Sequence, residues 1–279
     1  MKLTFLYCEG PHDMAFLAKL IKGLNITNGE INTVSDLPNV IKNIVTSALA
    51  NLDNDSIRID KPLRVFFPNK VFALNDGQFV CVFSTGGKDS LQAAMKNIEA
   101  SRLLVGREKI TGIEVVRHAF VLDADYKLLE NGNNNPQGGI VNTLTNLSNQ
   151  ISSIVDDFDN FTNHASWQDT SHGKIGNFIF TDTSGQEGTL EDLLEQFVKH
   201  TNLITPSESF RDEIIAFDTS RNAKAKDKTK KQKIVLTSMT QAFHPGCSLA
   251  VGLSENKVID STAINSHAIS NEFKQFLIS

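Results

Sequence analysis

Apolar and polar positions along this chain follow two rhythms that take turns, and the turns predict strand followed by helix, repeatedly. "KLTFLYC" (2–8) is a continuous apolar, β-prone run, and "HDMAFLAKLIKGL" (12–24) carries apolar residues at helical spacing. "QFVCVFS" (78–84) predicts a second strand and "DSLQAAMKNIEASRLL" (89–104) its helix. "HAFVLDAD" (118–125) predicts a third strand; after the loop "ENGNNNPQGG" comes a helical stretch, "IVNTLTNLSNQISSIVDDF". A fourth strand, "NFIFTDT" (177–183), leads through "SGQEG" into a helix over "TLEDLLEQFVKHTN" (189–202). Continuous apolar strands alternating with helices predict an α/β fold, a mostly parallel sheet covered on both faces.

Residues 25–77 are less regular and read as an insertion between the first two core strands. Within it "SDLPNVIKNIVTSALANL" (35–52) suits a helix entered after Pro38, and "LRVFFPNKVFAL" (63–74) suits a β-hairpin. Residues 205–279 read as an extension of the same single domain. They carry the lysine run "AKAKDKTKKQK" (223–233), then "IVLTSMTQAF" and an amphipathic "NEFKQFLIS".

Composition narrows the class. With 279 residues, 40% hydrophobic and 21% charged, the chain can bury a sizeable core. Cys8, Cys81 and Cys247 are too few and too scattered for a disulfide framework or a zinc site, and read as buried small hydrophobes in a reducing compartment. The start "MKLTFLYCEG" is too short an apolar run for a signal peptide, and no stretch reaches membrane-spanning length, so the expectation is a cytoplasmic protein. A net charge of −5 argues against broad coating of nucleic acid but leaves room for a local basic track.

The acids change the picture most. A parallel sheet delivers every strand's C-terminal end to one edge, where ligands bind. Glu9 ends the first strand, with Gly10-Pro11 and then Asp13 after it; Asp123 and Asp125 end the third; Asp182 ends the fourth, and Glu191 and Asp192 open the following helix. Residues i and i+2 of an extended strand face the same way, so Asp123 and Asp125 are expected to be aimed together. Carboxylates gathered at one edge repel unless a cation sits among them, and hard oxygen ligands suit Mg²⁺ or Mn²⁺.

"CEGPHD" after one strand, "VLDAD" after another and a later "GTLEDL" helix start together resemble the TOPRIM domain shared by topoisomerases, primases and the overcoming-lysogenisation-defect nucleases. "FSTGGKDS", "TDTSGQEGTLEDLL" and the lysine-rich tail before "HPGCSLAVGL" extend the similarity to stand-alone TOPRIM-like proteins. The resemblance implies a TOPRIM-like, Rossmann-like sheet and Mg²⁺-assisted cleavage or transfer at a phosphodiester. It implies Asp123 and Asp125 on a metal, and Glu9 as a metal ligand or a general acid/base. Asp13 and Glu191 are the candidates for a second metal site, and Lys88 for a phosphate contact. Nucleic acid is the implied partner, met also by Lys224, Lys226, Lys228, Lys230 and Lys231, with Lys228 the candidate to reach into the site. No G-x-x-x-x-G-K-[ST] loop is present, so ATPase activity would come from a partner protein.

Plainer readings stand beside these. Glu9 and Asp13 suit a helix N-terminus for electrostatic reasons alone. Thr189 as an N-cap explains Glu191 and Asp192 as first-turn acids. The lysine run, like most such runs, reads first as a solvated loop, and His12 as a surface residue. "TGGKDS" (85–90) is close to the S-G-G-x-D-S loop of ATP pyrophosphatases, with Thr85 in place of the first Ser, which keeps adenylating chemistry as a rival. A non-catalytic module that binds nucleotide, nucleic acid or protein is the other alternative. Trp167 lies in a polar stretch that predicts a loop.

Overall fold

The four apolar runs predicted as strands are the parallel centre of one sheet. The computed structural model describes residues 1–43, 68–87, 91–128, 132–217, 228–255 and 257–279. Its strands are β1 (Lys2–Cys8), β2 (Thr27–Ile31), β3 (Lys70–Leu74), β4 (Gln78–Ser84), β5 (Val115–Asp123), β6 (Ser166–Thr170) and β7 (Gly173–Phe180). They lie in the order β2-β3-β4-β1-β5-β7-β6. β4, β1, β5 and β7 run parallel, while β2, β3 and β6 pair antiparallel at the two margins.

The helices are α1 (Pro11–Gly23), α2 (Gln92–Ser101), α3 (Glu108–Thr111), α4 (Ile140–Ser152), α5 (Leu190–Glu195), α6 (Ile204–Phe217), α7 (Lys228–Phe243), α8 (Leu249–Ser254), α9 (Ser261–Ser266) and α10 (Ala268–Ile278). Period-2 alternation sorts the strand residues into two cores. Leu6, Cys8, Val80, Val82, Ala119, Val121, Phe178 and Phe180 face α1, α5, α7, α8 and α10. Leu3, Phe5, Tyr7, Cys81, Phe83, Phe120, Leu122 and Ile179 face α2 and α4. Every parallel strand is thus apolar on both sides, which is why each reads as an unbroken run.

The helix after β1 packs on one face of the sheet, and those after β4 and β5 on the other. Chains diverging in this way open a crevice at the C-terminal end of β1, between β4 and β5. Glu9 stands at that point.

Several expectations need correction. Residues 25–77, which lie between β1 and β4 in the chain, contribute β2 and β3, and these extend the sheet beyond β4. A hairpin joins β3 to β4 through Asn75–Gly77; the first arm of the hairpin expected over 63–74, residues 63–67, lies outside the described residues. A helix does begin directly after Pro38, and its first described turn buries Ile41; the stretch 44–52 lies outside the described residues. Trp167 sits on strand β6, not in a loop. Its ring stacks on Phe276 of α10 at 4.6 Å and its Nε1 donates to the Phe276 carbonyl at 2.8 Å. Arg117 of β5 donates to the carbonyls of Leu277 and Ser279 at 3.1 and 2.9 Å, so the extension is bound to the sheet it follows. The three cysteines are free; Cys8 and Cys81 are buried, but Cys247 is only half-buried. No helix among the described residues is long and apolar enough to cross a membrane.

Candidate active site at the C-terminal edge of the sheet

The site is assembled from three turns. After β1, Gly10 takes an extended conformation, Pro11 opens α1 where its missing N–H costs nothing, and Asp13 Oδ2 accepts the Gly10 N–H at 2.8 Å. Asp13 therefore caps its own helix, as the plainer reading held. It is also buried, 7% exposed, against a second carboxylate. Burial first, and then repulsion from Glu191, push its pKa up to about 6.

Glu9 does not point away from the sheet: its Oε1 accepts the backbone N–H of Asp123 at 2.9 Å, across the β1–β5 boundary. Asp123 Oδ1 in turn accepts the N–H of Leu190 at 2.8 Å, the first residue of α5. Glu9, Asp123 and the start of α5 form one hydrogen-bonded line.

The two acids at the start of α5 part company. Asp192 closes a capping box on Thr189 (N–H to Oδ2, 2.8 Å) and is bonded by the Tyr126 hydroxyl at 2.5 Å and by Gln232 Nε2 at 2.6 Å. Its role is structural, as the cap reading proposed. Glu191 turns inward and is only 2% exposed, with no hydrogen-bond partner for its Oε2 among the described residues. Burial holds its pKa above the usual carboxylate range, against the pull of Lys233.

Lys233 supplies the counter-charge. Its Nζ lies 3.3 Å from Glu191 Oε1. Burial works against its charge, but Glu191, Asp123 and Asp13 together hold it above the ordinary lysine value. His12 is half-buried rather than a surface residue, with Nδ1 at 4.0 Å from the same Glu191 oxygen; burial and Lys233 keep it below its usual pKa.

The structure thus brings Glu9, Asp13, Asp123 and Glu191 to one edge. Asp125 departs from expectation. β5 ends at Asp123, and Asp125 has φ 56°, in the left-handed region, so the two side chains are not aimed alike by an extended strand. The backbone carbonyl of Asp125 instead accepts from Gly139 and Gly188, both at 3.1 Å. Asp182 lies beyond β7, where it accepts from the backbone and hydroxyl of Ser184 and shapes its own turn. Among the described residues, no three His, Cys, Asp or Glu side chains are grouped to hold one metal ion.

Lys88, Asp89 and Ser90 lie outside the described residues, as do Lys224 and Lys226. The preceding Thr85 hydroxyl donates to the carbonyls of Cys8 and Gly87. Lys228, Lys230 and Lys231 fall in the first turn of α7, so the lysine run is helical there rather than a loop. The side chain of Lys228 lies outside the described ones; among the described lysines it is Lys233 that enters the site. Sequence reasoning passed over it because it closes a charge run. The available signal was its place on the helix, beside Gln232, Val235 and Leu236, all of which are buried.

Comparison with known proteins adds the family. A family model described as "Protein of unknown function (DUF3226)" matches residues 4–278. The crystal structure of a hypothetical protein, PH0156, from Pyrococcus horikoshii OT3 is similar at 16% identity and a TM-score of 0.45. That match covers 100% of this chain and 95% of that one. No curated protein matches the chain.

Proposed function

The chain belongs to the DUF3226 family of proteins of unknown function, and we propose that this member is a Mg²⁺- or Mn²⁺-dependent phosphoryl-transfer enzyme on nucleic acid, a TOPRIM-like nuclease. The observation that carries the reading is Glu191 Oε2, a carboxylate oxygen buried with no hydrogen-bond partner among the described residues, beside the buried carboxylate of Asp13. Two such groups at the C-terminal rim of a parallel sheet destabilise the fold, and a divalent cation is the natural compensation. The donor set fits a hard cation, since Glu9, Asp13, Asp123 and Glu191 offer only carboxylate oxygens.

When bound, such an ion supplies a Lewis acid for a phosphoryl oxygen. The chain's own residues do the rest. Asp123 and Glu191 hold the charge, and the Glu9 bond to the Asp123 backbone keeps β1 and β5 in register there. Lys233 stands beside them with an ammonium group that meets a scissile phosphate once it leaves Glu191.

A specific observation favours a second reading, a non-catalytic module that binds nucleotide or nucleic acid. Lys233 already neutralises Glu191, and the carboxylates are not grouped around a single point. Purified protein incubated with Mn²⁺ and with plasmid DNA or RNA decides between them. The enzyme reading expects nicking or cutting that Glu9→Gln and Asp123→Asn abolish; cleavage indifferent to both substitutions overturns the site, and no cleavage beside intact nucleic-acid binding supports the module. Adenylating chemistry at Thr85–Ser90 has less support, because the Thr85 hydroxyl is committed to backbone carbonyls.

A further inference from the structure

A second cavity lies at the opposite end of α1 from the acids. Its volume is about 320 Å³, and its walls come from α1, β3, α8 and α9. Ala15, Ala18 and Gly23 make the floor small, while Lys19, Lys22 and Lys70 bring three ammonium groups. Ser254, Ser261 and Asn265 complete the lining with polar side chains. Lys19 and Lys22 lie six and nine residues beyond Asp13, roughly 9–14 Å along the helix, so this cavity is separate from the carboxylates.

The lysines are held in place rather than left to wander. Glu30 binds Lys22 at 2.6 Å and Lys70 at 2.5 Å, fixing two ammonium groups on either side of one carboxylate. Lys19 donates to the Ser261 hydroxyl at 3.1 Å. Among the described residues, Glu30 is the carboxylate paired with Lys22 and Lys70, so the lysines outnumber it along this wall. Lys19 is half-buried, and burial, then Lys199, then Lys22 all press its pKa down. Concentrating like charges around a concave wall costs folding stability, and an anion relieves that cost.

Gly23 shows how closely the amide is set into the wall. A Cβ there would fall 1.9 Å from Asn265 Oδ1, so only glycine lets α9 bring its amide this near.

We propose that this cavity binds a phosphate-bearing anionic ligand, with Lys19, Lys22 and Lys70 as the charge partners and the Asn265 amide as a hydrogen-bonding donor. Its volume suits a ligand the size of a nucleotide, at the small end of ordinary ligand pockets. The shared chemistry is the phosphate group, whether carried by a small molecule or by a nucleic-acid backbone. Because the site does not include Glu9, Asp123 or Glu191, it stands or falls separately from the nuclease reading.

Calorimetry on the full chain at low salt, without metal, tests it with pyrophosphate, ATP and a short single-stranded oligonucleotide as separate probes. The expected result is saturable binding of at least one probe with Kd below about 1 mM. Lys19→Gln with Lys70→Gln is expected to weaken it at least about tenfold, as is Lys22→Gln alone at an exposed position. The probe bound tightest identifies the carrier. Lys109→Gln, an exposed lysine outside both sites, should bind as the unmodified protein does, which separates the cavity from a general loss of positive charge. Affinity unchanged in the lysine variants, or no saturable binding of any probe by the unmodified chain, overturns the proposal.

Discussion

The Lys233 ammonium lies 3.3 Å from Oε1 of Glu191, a carboxylate that is 2% exposed, while Lys233 itself is 42% exposed. The pair is therefore a buried anion closed by a half-solvated cation. Removing the cation by Lys233→Met leaves Glu191 uncompensated. The loss should be about 1–3 kcal/mol, below the figure for a fully buried pair because solvent screens part of the attraction. Glu191→Gln in the same chain should restore most of it. Under the metal reading, MnCl₂ should raise the melting temperature of Lys233→Met more than that of the unmodified protein, because ion and ammonium compete for the same oxygens. Equal shifts, measured by scanning calorimetry, would separate Lys233 from the metal.

Asp13→Asn tests the electrostatic cost of the site. The folded pKa of Asp13 is raised to about 6 from an ordinary 3.8, so the folded state holds its proton more tightly than the unfolded chain. The resulting penalty is complete above pH 6 and vanishes as the pH falls below 4. Asparagine keeps an oxygen for the Gly10 N–H but carries no charge. The variant should be more stable by about 1–2 kcal/mol at pH 7 and gain nothing near pH 4. Urea unfolding at the two pH values measures the difference. Under the nuclease reading, the same substitution lowers metal-dependent cleavage.

The parallel centre of the sheet was legible because buried strands are apolar on both faces, and each of the four runs became a strand. The margins were not. β2, as "TNGEI", has no alternation to announce it, and β6 is a polar strand whose Trp167 reaches α10, a contact more than a hundred residues distant. Among the acids, chain order placed Glu9, Asp13, Asp123 and Glu191 at the right edge. It could not separate Glu191 from its neighbour Asp192, since one turn of helix decides which carboxylate points inward and which caps. Nor could it foresee that Asp125 leaves the strand, because positive φ at an aspartate is local strain imposed by the bridge to Gly188. Lys233 was hidden by the five lysines before it.

Gly188 joins the loop after β7 to the cap of α5, and its backbone leaves no room for a side chain. Its φ is 109°, and a Cβ would fall 2.5 Å from the Asp182 nitrogen and 2.9 Å from Asp192 Oδ2. Gly188→Ala should cost about 2–4 kcal/mol, from backbone strain and displacement of the capping carboxylate together. A drop in urea midpoint with unchanged slope is the expected record. The bond from Leu190 to Asp123 depends on the same turn, so any metal-dependent activity should fall with it.

His118 makes the fold itself sensitive to acid. It is fully buried in β5, bonded on Nδ1 to the Tyr7 hydroxyl at 2.9 Å and on Nε2 to the Ser101 hydroxyl at 2.7 Å, with Phe5 stacked at 5.1 Å. Each nitrogen meets a hydroxyl and no carboxylate faces the ring in these contacts, so protonation finds no counter-charge; burial, with a smaller push from His172, holds the pKa down to about 3. In the unfolded chain the same imidazole takes up its proton near 6.5. Between these values the unfolded state binds one more proton than the folded state, so this residue's contribution to stability falls as the pH drops from 6.5 towards 3. The slope should approach about 1.4 kcal/mol per pH unit. His118→Gln loses stability at pH 7, because the ring's stacking and one of its two bonds go. It should also lose this part of the pH dependence, so the two unfolding free energies converge as the solution is acidified. Parallel curves across that range would mean that the imidazole is protonated in the folded protein, and that the Tyr7–His118–Ser101 chain is not the neutral network described.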